Sequence, residues 1–324
     1  MDKNNPKTVQ RSPNWLESAY PSTSFITWNM RNPDASIVIP EMEESNLAIF
    51  CEQGEIIASV EQRQLLKVDG REIAALHHNA ILDLSVDGDR WEGDVLDSKP
   101  FGWGIAYDKN GNKSYEGFRL AGVNACFGCE YYSDLDRIAY EGTWFEGKRW
   151  GRGTQFDRNG DMVYEGYWMD DAPVKDRVEV TSDDSLFHNR AKHLIVGNNV
   201  WNDVTCTTIH PQMISGLVSL IIGNQCCVNV AGLDIVNLNQ LEQVEIGSGS
   251  FTAVNCHASP RAFHVSECPK LKVLKIGPWS FSSYTECTIK RLPALEVIEI
   301  GDMDDASYNF YKSSIRITGN SRGE

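Results

Sequence analysis

Between residues 190 and 301 apolar and polar side chains alternate in short bursts, each closed by a glycine. The clearest copies are Leu241-Glu-Gln-Val-Glu-Ile-Gly247, Leu271-Lys-Val-Leu-Lys-Ile-Gly277 and Leu295-Glu-Val-Ile-Glu-Ile-Gly301, preceded by Leu217 to Gly223 and His193 to Gly197. A period of two over four or five residues is the signature of a strand buried on one face. The glycines step by 26, 24, 30 and 24 residues, and four residues beyond them stand Trp201, Cys227, Phe251 and Phe281. Those side chains are placed to fill the inside of each coil. A second alternating stretch precedes most bursts, as in Phe263-His-Val-Ser-Glu-Cys-Pro and Cys287-Thr-Ile-Lys-Arg-Leu-Pro, so each coil offers two strands. None of these coils could bury its Leu/Ile face alone, so stacking is required.

A different pattern occupies residues 90 to 170. Trp91-Glu92-Gly93, Tyr115-Glu116-Gly117, Tyr140-Glu141-Gly142 and Tyr164-Glu165-Gly166 recur after 24, 25 and 24 residues. Nine and eleven residues past the Gly come Gly102 and Gly104, then Cys126 and Gly128, then Gly151 and Gly153. Small residues there permit close backbone approach or positive φ. The Asn-Gly pairs at 110–111 and 159–160 suit the turn twist of antiparallel hairpins. The fourth unit lacks its glycines, holding Lys175 and Arg177 instead, and reads as a terminating half-repeat.

The run Tyr-Glu-Gly-Thr-Trp-Phe-Glu-Gly-Lys-Arg-Trp-Gly-Arg-Gly at 140–153 resembles the MORN repeat. Ile246 to Phe251 and Ile276 to Phe281 resemble leucine-rich repeats of the irregular kind with Ile-Gly-x-x-Ser/Ala-Phe, although the asparagine ladder of the commonest leucine-rich class is absent. The expected fold is therefore mainly β: an antiparallel MORN hairpin array followed by a leucine-rich-like β solenoid.

The expected organisation has six segments. Residues 1–36, rich in Asn, Pro and Ser, read as a disordered lead-in. Residues 37–89 read as hairpins, with turns at Gln53-Gly54 and Asp69-Gly70, that join the MORN sheet in one continuous layer. Residues 90–170 are the MORN repeats and 171–189, with Pro173 and Asp183-Asp184, an acidic linker. Residues 190–301 are the leucine-rich-type repeats, and 302–324 a cap and tail.

Composition narrows the function. A chain of 324 residues with 41% hydrophobic content buries real cores. No apolar run reaches the roughly eighteen residues that span a bilayer, and the nine cysteines lack a regular framework. The expectation is a cytoplasmic protein with reduced thiols. The net charge is −15 and no segment is basic, whereas binding to a nucleic-acid backbone or an anionic leaflet draws on clustered Lys/Arg. Nucleic acid is excluded as a partner on this ground. Lys148, Arg149 and Arg152 form the one local basic cluster of the MORN segment.

Chemistry is sparse. Cys126-Phe-Gly-Cys129 has CxxC spacing, but Cys126 sits at a repeat glycine position and no second ligand pair accompanies it. His77-His78 and Cys256-His257 are separated by the whole MORN array, and His264 should point outward from its strand. Glu92, Glu116, Glu141 and Glu165 occur once per unit, as structural residues do. There is no phosphate-binding glycine loop and no Gly-x-Ser-x-Gly elbow. The reading assigns no catalytic residue, no metal and no cofactor, and expects a non-enzymatic scaffold that binds other proteins.

The binding face follows from strand alternation. Two outward rows are expected on the leucine-rich-type strands: Ser219, Gln243, Val273 and Val297 in one, and Ile221, Glu245, Lys275 and Glu299 in the other. Apolar members of such a row mark an interaction surface, and the charged ones set partner choice. The MORN resemblance also implies phospholipid binding, as a peripheral membrane tether, or homodimerisation through the array.

Overall fold

The computed structural model describes residues 25–31, 37–39, 46–51, 55–61, 65–68, 71–72, 76–204, 208–252, 261–302 and 307–319. The expectations for residues 1–24, the turns at 53–54 and 69–70, Cys256-His257 and the last five residues lie outside these. The chain falls into two compact units, one built on Pro21–Ile26 with Ser36–Val174 and the other on Thr27–Ala35 with Lys175–Glu324. Among the described residues there is no α-helix and one short 3-10 turn at Pro211–Met213.

The first unit is built on a nine-stranded antiparallel meander running from His77–Asp83 to Ala172–Pro173, each strand paired with its chain neighbour. Asp108 and Asp157 hold its Asn-Gly turns, their carboxylates accepting from the N–H of Asn110 and Asn112, and of Asn159 and Asp161, at 2.8–3.0 Å. These bonds pull both carboxyls below the usual range.

The repeat explains itself on one face of this sheet. Gly93 pairs with Gly104, Gly117 with Gly128, and Gly142 with Gly153. Across these bare pairs lie the anchor aromatics: a Cβ on Gly104 would meet the Trp91 ring, and one on Gly128 or Gly153 the Tyr115 or Tyr140 ring. Each anchor then donates to the carbonyl three residues on. Trp91 Nε1 reaches Asp94 at 2.9 Å, Tyr115 Oη reaches Phe118 at 2.9 Å, Tyr140 Oη reaches Thr143 at 3.1 Å and Tyr164 Oη reaches Tyr167 at 3.0 Å. Trp144 and Trp168 meet these rings edge-on at 5.2–5.7 Å, and the Arg149 guanidinium lies over Tyr140 at 4.8 Å.

The expected continuous layer over 37–89 divides in two. His77–Asp83 joins the meander, whereas Ile37–Ile39, Asn46–Cys51, Glu55–Glu61, Leu65–Val68 and Arg71–Glu72 pair antiparallel in another sheet. Ile39 from that layer and Phe25 pack with Phe118, Ala125, Cys126, Phe145 and Trp150 of the meander. The meander is apolar on both faces and a single layer would leave one wet, which is why the second layer stacks on it.

The second unit is a parallel β-solenoid. One sheet holds Arg177–Val180, His193–Val196, Ser219–Ile222, Gln243–Ile246, Val273–Ile276 and Val297–Ile300; the other holds Thr208–Ile209, Gly232–Val236, Ala262–Ser266, Glu286–Lys290 and Ser314–Thr318. Leu194, Leu220, Val244 and Leu274 stack in register inside, facing Leu233, Phe263 and Cys287. At one corner Trp201, Cys227, Phe251 and Phe281 are buried with positive φ, and Phe251 stacks on Phe281 at 4.9 Å.

A ladder of small polar side chains ties the coils. Cys226 Sγ donates to the Gly197 carbonyl at 2.9 Å, Ser250 Oγ to Gly223 at 2.9 Å, Ser280 Oγ to Gly247 at 2.6 Å and Asn309 Nδ2 to Gly277 at 2.8 Å. Ser250 and Ser280 also accept from the N–H of Cys226 and Ser250, at 3.0 Å each. This ladder satisfies half-buried corner carbonyls as the missing asparagines would have done. The glycines stack so closely that a Cβ on Gly247 would stand 2.5 Å from Gly223 C.

Two further segments differ from expectation. The stretch read as an acidic linker holds the first strand of the solenoid, Arg177–Val180, because Val178 and Val180 alternate with charged residues as later coils do. Within the segment read as a disordered lead-in, Phe25–Trp28 is a buried strand; Thr27 and Trp28 pair with His188 and Phe187. The apolar run Phe-Ile-Thr-Trp gains more from burial than its polar surroundings suggest.

Candidate functional site

The outward face of the sheet that begins at Arg177–Val180 is the candidate site. Its strands rise in strict parallel register, so the two expected rows form and each gains members. The first runs Arg177, His193, Ser219, Gln243, Val273 and Val297; the second runs Glu179, Ile195, Ile221, Glu245, Lys275 and Glu299. With about 4.8 Å between strands, six strands give a face roughly 24 Å wide.

The side chains are unequal. Ser219 is only 7% exposed and lies within 3.0 Å of His193 Nδ1, so it supports the face without offering itself to a partner. Ile195, Ile221, Val273 and Val297 are half-buried, as are Gln243, Glu245 and Lys275, while Glu179 and Glu299 are exposed. Polar members are tied along or across the sheet: Arg177 to Glu179 at 2.9 Å, Gln243 Nε2 to Glu245 at 2.9 Å, and Lys275 to Glu299 at 3.1 Å. Exposed pairs of this kind contribute about 0–1 kcal/mol to stability, so their value lies in fixing the pattern of charge.

Arg177 and Glu179 were missed because their strand precedes the next by 16 residues, well short of the 24–30 of later coils. The signal was the alternation Arg-Val-Glu-Val itself.

The opposite sheet presents a more polar face. His264 Nδ1 lies 2.9 Å from Asp234, and the row continues through Thr288 to Arg316. Among the residues described, no group of three His, Cys, Asp or Glu is arranged to hold a metal ion. Cys126 is fully buried with φ of 58°, sharing positive φ with Gly102 and Gly151 at the same repeat position. Burial pushes its thiol up to about 12, which leaves it protonated and unreactive.

In the first unit Trp91, Tyr115, Trp144, Trp150 and Trp168 are core, whereas Trp103, Tyr107 and Tyr164 are half-buried. The basic cluster there is neutralised residue by residue: Lys148 pairs with Asp170, Arg149 with Glu130 at 2.7 Å and Arg152 with Glu165 at 3.2 Å. Among the described residues no helix is long and apolar enough to cross a membrane.

Comparison with protein-family models and with curated proteins finds no match.

Proposed function

We propose that the chain is a non-enzymatic scaffold of MORN-type and leucine-rich-type repeats, which binds other proteins on the outward rows of the solenoid sheet beginning at Arg177. The observation that carries this reading is two in-register apolar pairs on this face, Ile195 with Ile221 and Val273 with Val297, half-buried and neighboured by Glu179, Glu245 and Glu299. Apolar side chains rimmed by charge are the composition of an interface, and the rim would select a partner with basic groups.

Affinity capture with the full chain tests it. Val273→Asp with Val297→Asp should remove specific partners while leaving the thermal unfolding profile in place, since both side chains point away from the core. An unchanged partner set ends the assignment. The peripheral-tether reading is weaker, because the three cations it needs are each engaged by a carboxylate. Vesicles containing phosphoinositides should therefore fail to pellet the chain at low salt.

A further inference from the structure

The two ends of the solenoid are finished differently. At its start Val180 is fully buried, and Trp28 and Phe187 pack ring to ring at 4.5 Å over the first coils. At its far end the inward rows run into solvent. Leu274 is 0% exposed but Ile298, next in its row, is 38%; Cys287 and Ile289 are 0% and 2%, but Ile315 and Ile317 are both 54%. Among the described residues Val297–Ile300 and Ser314–Thr318 are also the last strands of their sheets, so there one edge of each carries backbone N–H and C=O groups without a strand partner. Tyr311, 68% exposed, adds apolar surface in the same coil. Exposed edges with apolar flanks are templates for pairing.

We propose that this open end binds a second copy of the chain across a two-fold axis, with Val297–Ile300 of each copy against Ser314–Thr318 of the other. The charge pattern selects this occupant and this arrangement. In the last coil Glu299 points outward from one sheet, in the row of Lys275, and Arg316 points outward from the other, in the row of Thr288. A coil closes on itself, so its two strands run in opposite senses. A two-fold axis midway between the sheets and along the strands lays Val-Ile-Glu-Ile antiparallel on the partner's Ser-Ile-Arg-Ile-Thr. Ile298 and Ile300 then continue inside against Ile315 and Ile317, and Glu299 meets Arg316 outside, twice by symmetry. The alternative two-fold, perpendicular to the strands, stacks each strand on its own copy. It brings Glu299 to Glu299 and Arg316 to Arg316, and like charges across an interface are costly.

Light scattering on the full chain, coupled to size exclusion across a dilution series, tests this. Wild type should run at twice the monomer mass when concentrated. Ile315→Lys with Ile317→Lys should run as monomer with an unchanged far-ultraviolet circular dichroism spectrum, because both side chains are exposed in the single chain. Arg316→Glu should weaken the dimer at least about tenfold, and Glu299→Arg added to Arg316→Glu should restore it. A wild type that is monomeric throughout, a dimer untouched by the end-face variants, or a charge swap that fails to restore association would overturn the proposal.

Discussion

Replacing Gly153 by Ala tests whether the Gly-x-Gly spacing exists to seat an aromatic ring. A Cβ there would stand 2.5 Å from Tyr140 Cζ, 2.6 Å from Cε2 and closer still to Oη. The ring is held by edge-on contacts to Trp144 and Trp168 at 5.2 Å, by Arg149 above it and by its bond to the Thr143 carbonyl, so it cannot move freely. Losing that buried bond costs about 1–3 kcal/mol and overpacking a further ~1–3 kcal/mol. Against this stands about 0.5–1 kcal/mol gained by removing a glycine from a strand. The net expectation is a loss of roughly 2–4 kcal/mol in urea unfolding followed by tryptophan fluorescence. Gly232→Ala is the control, since its Cβ would meet nothing within 4 Å and should be neutral or slightly stabilising. In a Tyr140→Leu background the ring is gone and the Gly153→Ala cost should largely vanish, a coupling of about 2 kcal/mol in the double-mutant cycle. A cost below about 1 kcal/mol, or one that persists undiminished beside Leu, would refute the seating argument.

Other consequences follow from the solenoid. Ser280→Ala removes the donor to Gly247, in a part-buried bond, and the acceptor for the Ser250 N–H, in a buried one; it should cost about 2–4 kcal/mol, with Ser280→Cys costing less, and equal losses would refute the ladder. His188 is buried and its ring is held down to about 4 by that burial. The unfolded chain binds a proton near pH 6.5 and the folded one does not, so this contribution is complete above about pH 6.5 and is lost as pH falls toward 4. It amounts to up to about 3 kcal/mol. Stability measured at pH 7 and 5 should fall less in His188→Gln than in wild type, and an identical fall would contradict the assignment.

What could be read from the chain was what repeats. Glycine spacing and period-two alternation gave the antiparallel array, the coils and the inward rows, because every coil must bury an apolar side chain where Trp201, Cys227, Phe251 and Phe281 sit. Features that depend on position in the stack did not show. Ile317 alternates just as Ile289 does, yet it is 54% exposed where Ile289 is 2%. Ser280 and Ser250 look like spacers before a Phe until the glycine carbonyls they satisfy are stacked beneath them. Ser219 reads as outward and is, but His193 covers it, a contact set by neighbours 26 residues apart. The strand Arg177–Val180 hid behind a short connection and a run of acids.

Site-specific photocrosslinking tests the binding face most directly. A crosslinking residue at position 273, on the fifth of the six strands and beside Val297, should capture one or a few proteins reproducibly, and Val297→Asp in the same chain should abolish that capture. The same probe at Thr288, on the outward face of the opposite sheet, should not give those products. Identical products from both positions, or none from 273, would contradict the account.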